Sequence, residues 1–399
     1  MNHNLRKKNK KRAVGGVRSF FLPSLFLSLC IPLTACKADI LPPGREVENM
    51  ALMRTMGVDA AETDGVRVTV SSGVQSKGAD KGDEPPQVFY RDAGTVSGAC
   101  LAMQSYGTAY IFYGHVGQLL VGEALAERGL AEALDYVERD IEMRLDTELF
   151  VVKGAGAFDA IASAATGTSS AADRLEALED DAGLMATSAT RTVKDVLAGQ
   201  AQNGASFAPA ITLTSGETGN GAGEGTDLSA AGFAIIKDNA LAGWADGDAA
   251  RGINLLLGQV DADVLELDLP GGGKAALRIV GSAAKVHPVF QDGTLAALEV
   301  SCQVDANVAE APAALDLSDD TVRRRLNAAL VAAEEARIRA ALDLSQSLDA
   351  DFMGLKKWAG LSAPWHWDAL KDQWAGRFSR LEIRLTVEGD IQRSYDVKQ

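Results

Sequence analysis

Cys36 is the residue of this chain with the plainest chemistry. It follows Leu33-Thr34-Ala35, and residues 1–35 hold seven basic side chains and no acid. The stretch from Phe20 to Ile31 is mostly apolar. A basic start, an apolar stretch and small residues before a cysteine make up the order of an export signal. In that setting the thiol is alkylated to a diacylglyceryl thioether and becomes the first mature residue. The competing reading is an uncleaved membrane helix. The stretch is short for the roughly 20 residues of a span, and Pro23 and Pro32 interrupt it. Lipidation at Cys36 after loss of a signal over residues 1–35 is therefore expected.

Other reactive side chains do not assemble into a site. His3, His115, His287 and His366 are scattered, with no HExxH and no His/Cys cluster, so neither a metal nor another cofactor is expected. No Gly-x-Ser-x-Gly elbow occurs. The glycines from 219 to 225 lack the Gly-Lys-Ser/Thr of a phosphate loop, and the pattern after them is a strand. Glu179-Asp180-Asp181 reads as a solvated patch. Trp358, Trp365, Trp367 and Trp374 read chiefly as core packing, with Trp365-His366-Trp367 placing one ring inside and one at the surface. Cys30 leaves with the signal, and Cys100 and Cys302 read as two buried free thiols. The chain is expected not to be an enzyme.

Charge and length bound the rest. Removing 35 residues from 399 leaves 364, room for two or three domains. Taking seven positive charges from a net −15 leaves −22. Such a surface repels nucleic acid and anionic headgroups, so no nucleic-acid partner is expected. No later segment approaches 18 apolar residues.

The elements read as an interleaving of strands and helices, an α/β or mixed α+β pattern. Residues 37–45 hold Pro42-Pro43-Gly44 and read as a tether. Glu46 to Met56 reads as a helix. Val66, Val68 and Val70 alternate as a strand. Residues 75–86 are a polar surface loop. Gly94 to Gln104 is a helix, and Ala109 to Phe112 and His115 to Val121 are strands. Leu130, Leu134, Val137, Ile141 and Leu145 recur on one face of a helix. Glu148 to Val152 is a strand and Phe158 to Ala164 a short helix. Residues 201–227 break the pattern, and Ser215 to Thr226, with five glycines, reads as a mobile loop dispensable for folding. Phe233 to Ile236 and Leu241 to Trp244 form a hairpin, as do Val264 to Leu269 and Ala275 to Val280. Leu295 to Val304 is a strand. Ser318 caps a helix reaching about Leu348, roughly 45 Å at 1.5 Å per residue. Leu381, Ile383, Leu385 and Val387 alternate in a final strand.

With those elements in place, the chain resembles the C subunit of spore germinant receptors, the Ger(x)C (GerAC-like) family. Arg45 to Leu52 with Met56-Gly57-Val58-Asp59 resembles its opening helix and strand. His115, Gly122-Glu123, Leu125-Ala126, Gly129-Leu130, Leu134-Asp135 and Arg139 to Arg144 resemble its central signature. Gly232 to Asp238 with Leu241 to Trp244 resembles its middle hairpin. Asp351-Phe352-Met353-Gly354, Trp365, Trp374 and Phe378 resemble its ending. Two departures are Gly117, where many members carry a basic residue, and the long Gly-rich 201–227.

The resemblance implies three consecutive domains, each a sheet with packed helices: 36–152, 153–262 and 263–399. It implies a non-catalytic, lipid-anchored subunit on the outer face of the spore inner membrane. Its implied partners are integral-membrane A and B subunits. His115, Glu123, Arg139, Asp140, Glu142 and Arg144 are the candidate partner-docking residues; otherwise they are solvated helix-surface charges. A solute-binding lipoprotein is the alternative, and a cell-wall hydrolase fits less well because no acid/base pair stands out.

Overall fold

The computed structural model describes residues 49–392 apart from 63, 77–82, 108, 166–168, 181–185, 216–225, 261, 270–272 and 313–314. In chain order the strands are β1 (Met50–Ala60), β2 (Val66–Ser72), β3 (Gln75–Ser76), β4 (Asp83–Glu84), β5 (Val88–Ala93), β6 (Tyr110–Phe112), β7 (Gln118–Gly122) and β8 (Glu148–Lys153). They continue with β9 (Ala205–Ser215), β10 (Thr226–Lys237), β11 (Ala240–Ala245), β12 (Asp263–Asp268), β13 (Lys274–Gln291), β14 (Thr294–Glu310) and β15 (Glu382–Gln392). The helices are α1 (Val96–Met103), α2 (Glu123–Arg128), α3 (Ala131–Arg139), α4 (Ala157–Ala164), α5 (Ala171–Asp180) and α6 (Val193–Asn203). After these come α7 (Gly247–Leu257), α8 (Asp320–Ser347), α9 (Leu355–Ser362) and α10 (Trp367–Trp374).

Among the described residues, nine strands form one sheet in the order β11-β10-β9-β8-β7-β1-β2-β5, with β6 pairing β1. β1, β7, β8 and β9 are mutually parallel, in the register Thr55 to Gln118 to Glu148 and Val151 to Ala210. Side chains alternate between the faces. Leu119, Val121, Leu149 and Val151 pack with α1, α2, α3 and α6. Leu120, Phe150 and Val152 pack with α4 and α5. Strands from the expected segments 36–152 and 153–262 thus pair within one sheet. A second sheet, β12-β13-β14-β15, carries α8 and shares a core with α7 and with Phe207, Phe233 and Ile235 of the first. The fold is mixed α/β with helices packed on both sheets.

Five expectations change. Trp365 and Trp367 are both exposed, where one ring was expected inside. Residues from Met50 onward form β1 and not a helix, because this strand sits centrally between β2 and β7 and is buried on both faces. A strand buried on both faces loses the period-two signature. The helix after Gly129 stops at Arg139, leaving Ile141 88% exposed and Leu145 exposed. Asp140 turns extended and its carboxylate accepts from the Glu142 N–H, a local bond that competes with the helix. Residues 205–215 and 226–237 are paired strands, and 216–225 lie outside the described residues. The cap of α8 is Asp319, which accepts from Thr321 N at 2.7 Å. Cys100 and Cys302 are free and buried, and burial pushes their thiols up to about 11 and about 12.

Candidate functional site

The parallel strands define two ends, and the chemistry differs between them. At the carboxyl end, β7 leads into α2 on one face and β8 leads into α4 on the other. Neighbouring strands whose connections part in this way open a crevice, the usual ligand position of an open α/β sheet. Here the crevice is about 490 Å³, lined by Asp59, Arg67, Glu123, Glu127, Phe158 and Asp159 among others.

Asp59, near the end of β1, reaches across it. Its carboxylate accepts from Ala157 N at 2.6 Å and Phe158 N at 2.8 Å, the free N–H groups at the start of α4. Burial raises its pKa despite those two bonds. The place where an anionic ligand would meet the helix dipole is therefore taken by the chain's own carboxylate. Arg67 is also committed: it pairs bidentately with Asp92 at 2.7 and 2.9 Å, over the rings of Tyr90 and Phe158. Glu123 accepts from Gly154 N, closing the α2 and α4 loops on each other. Asp59 carries no functional reading in the sequence. Its signal is an acid ending a buried strand, with Gly154-Ala155-Gly156 after a neighbouring one.

At the amino end lie five of the six candidate docking residues; Glu123 stands at the opposite end. His115 is exposed, its ring 5.9 Å from that of Phe112. Arg139 pairs with Asp135 at 2.6 Å and Arg144 with Asp146 at 2.9 Å. Glu142 is tied inward, accepting from Tyr113 N and from the Tyr110 hydroxyl, both at 3.0 Å. Beside it a groove of about 230 Å³ runs between α1 and the turn after α3, lined by Cys100, Tyr113, Tyr136 and Glu142. Leu101 (76% exposed) and Ile141 stand at its rim.

Cys36 lies outside the described residues. Among the described residues no group of three His, Cys, Asp or Glu is placed to hold a metal ion, and no helix is long and apolar enough to cross a membrane.

Fold and site together define a mixed α/β protein with a crevice at the carboxyl end of its parallel strands, in which Asp59 occupies the helix N-terminus. Residues 43–213 match the spore germination protein N-terminal domain, and residues 231–395 match the spore germination B3/GerAC-like C-terminal domain. The chain belongs to the GerAC-like family, C subunits of multi-subunit, membrane-associated germinant receptors. The crystal structure of the GerBC protein aligns with a TM-score of 0.55 at 16% identity, covering 85% of this chain and 97% of that one. That likeness bears on the fold. A comparison with curated proteins finds no match.

Proposed function

We propose that this protein is the lipid-anchored, non-catalytic C subunit of a nutrient germinant receptor, held through Cys36 on the outer face of the spore inner membrane. It serves receptor assembly, and through it nutrient-triggered germination, by docking on integral-membrane A and B subunits. The observation that carries the reading is the placement of Cys36 just ahead of family domains spanning 43–213 and 231–395. The amino-end surface around His115, Arg139, Asp140, Glu142 and Arg144 is the proposed docking face. The exposed Leu101 and Ile141 beside a groove support it, since large aliphatics at a groove rim mark interaction sites. Co-purification from spore membranes with a mass-spectrometric partner list tests the reading. A and B subunits are expected at comparable yield; recovery alone, with the receptor subunits intact in the same membranes, rejects it.

The 490 Å³ crevice keeps a second reading, a solute-binding lipoprotein, open to test. Calorimetric titration with germinants distinguishes the two, because a subunit acting only in assembly gives no heat of binding.

A further inference from the structure

The segment from Leu355 to Arg380 reverses the character of the protein. The expected mature chain carries −22, yet this segment holds Lys356, Lys357, Lys371, Arg377 and Arg380 against Asp368 and Asp372, a net +3. Lys357, Lys371, Arg377 and Arg380 are exposed, and none forms an ion pair among the described residues. Elsewhere the arginines are mostly matched, as Arg67 is to Asp92 and Arg384 to Glu382.

The same segment exposes its apolar side chains. Trp365 is 77% and Leu361 73% exposed, and Trp367 is also exposed. α9 buries Leu355, Ala359 and Gly360, and α10 buries Leu370 and Trp374. Lys357 and Leu361 are four residues apart on the outer face of α9, and Trp367 and Lys371 four apart on that of α10, so each pair shares a face. The Trp367 ring packs over the buried Gly360 of α9, where a Cβ would come within 2.3 Å of it, and leaves its remaining edge exposed. His366 is stacked on Phe290 at 4.5 Å, which fixes the turn and leaves Trp365 outward.

We infer that the outer surface of α9 and α10 is a second membrane contact, with Trp365, Leu361 and Trp367 at the headgroup level and Lys357 and Lys371 on anionic lipid phosphates. Indole rings and leucine beside unpaired lysines form the composition that settles at an anionic bilayer interface. Charge favours this occupant: the exposed, unpaired Lys357, Lys371, Arg377 and Arg380 outnumber the exposed Asp368 and Asp372 beside them, on a chain whose expected net charge is −22. The inference rests on the membrane-side location proposed above. Cys36 and Met50 are 14 residues apart, so the intervening chain reaches at most about 50 Å.

The test holds the mature chain, as Cys36→Ala with an N-terminal hexahistidine tag, on vesicles through a chelating lipid. Attachment then does not depend on lipidation, which mass spectrometry of residue 36 in the native protein decides separately. The vesicles contain phosphatidylcholine and phosphatidylglycerol with brominated acyl chains, which quench indoles at the interface. Quenching and a blue shift are expected. Both should be largely lost in Trp365→Ala and in the Lys357→Glu/Lys371→Glu variant, with attachment unchanged. No quenching, or equal quenching in Trp365→Ala, overturns the inference. Quenching that persists in vesicles of phosphatidylcholine alone overturns its electrostatic part. A Trp365→Ala chain that keeps wild-type quenching but loses the A and B subunits would reassign the surface to those partners.

Discussion

Asp59 and Gly122 stand so close that a Cβ on Gly122 would lie 2.0 Å from Asp59 Oδ1. The glycine is needed for space: it lets the carboxylate pass over the end of β7 to the start of α4. Gly122→Ala should cost about 1–3 kcal/mol in denaturant unfolding, the range for overpacking. In an Asp59→Gly background most of that penalty should vanish. Equal penalties in both backgrounds would mean that the Ala157 backbone, 3.1 Å from the same Cβ position, is what resists.

Asp351 gives the fold a pH dependence. It is buried, caps α9 through Leu355 N at 2.7 Å and Lys356 N at 3.0 Å, and burial pushes its pKa up to about 6. The folded protein therefore holds this proton more tightly than the unfolded chain. The associated stability is full below the ordinary carboxylate range and is lost as pH rises to about 6, a swing of roughly 3 kcal/mol. Tm measured from pH 4 to 7.5 should fall across that window, and less so in Asp351→Asn. Parallel curves for the two proteins would show that Asp351 is ionised throughout.

Leu134→Ala should cost about 2–5 kcal/mol, since Leu134 is fully inside the core. Ile141→Ala should leave stability within about 0.5 kcal/mol, the range of exposed positions. Arg139→Ala with Arg144→Ala should also barely move it, yet should weaken receptor assembly or slow germination in spores. Normal germination at normal receptor levels would reduce this face to solvated surface.

The contrast between Leu134 and Ile141 shows how far the sequence can be read. Period-two alternation places β2 and β15, and the Lys237-Asp238-Asn239 turn places the β10–β11 hairpin. β1 escapes such a reading because burial on both faces erases alternation. The apolar period runs on to Leu145 although the helix does not, because Glu142 is drawn to Tyr110 and Tyr113, partners some 30 residues away that no local pattern encodes. The crevice is invisible for the same reason: Asp59 meets α4 across 98 residues. The family order is legible because it is written in local spacing.

Beneath the second sheet, Glu334 is fully buried and bonded to Arg337 at 2.8 Å, which also reaches Asp263 at 3.1 Å. Arg337→Met strands Glu334, while Asp263 keeps Arg251 at 3.3 Å, and should cost about 3–5 kcal/mol in thermal or chemical unfolding. Adding Glu334→Gln should recover part of the loss. No recovery would show that the arginine acts through the close packing of α8 on α7, where a Cβ on Gly252 would lie 2.1 Å from the Arg337 carbonyl oxygen.

Cys36→Ala should move the protein from the membrane to the soluble fraction of spore lysates at physiological salt, since an expected mature net charge of −22 gives no overall attraction to anionic lipid. Full retention in the membrane pellet would show that other contacts suffice.

The boundary between the two family segments falls between residues 213 and 231, and β9 and β10 on either side of it are paired from Thr226–Ser215 to Lys237–Ala205. The seam is therefore a hydrogen-bond ladder lying along the strands. A force applied along those strands loads its bonds in parallel, so they must break together and not one at a time.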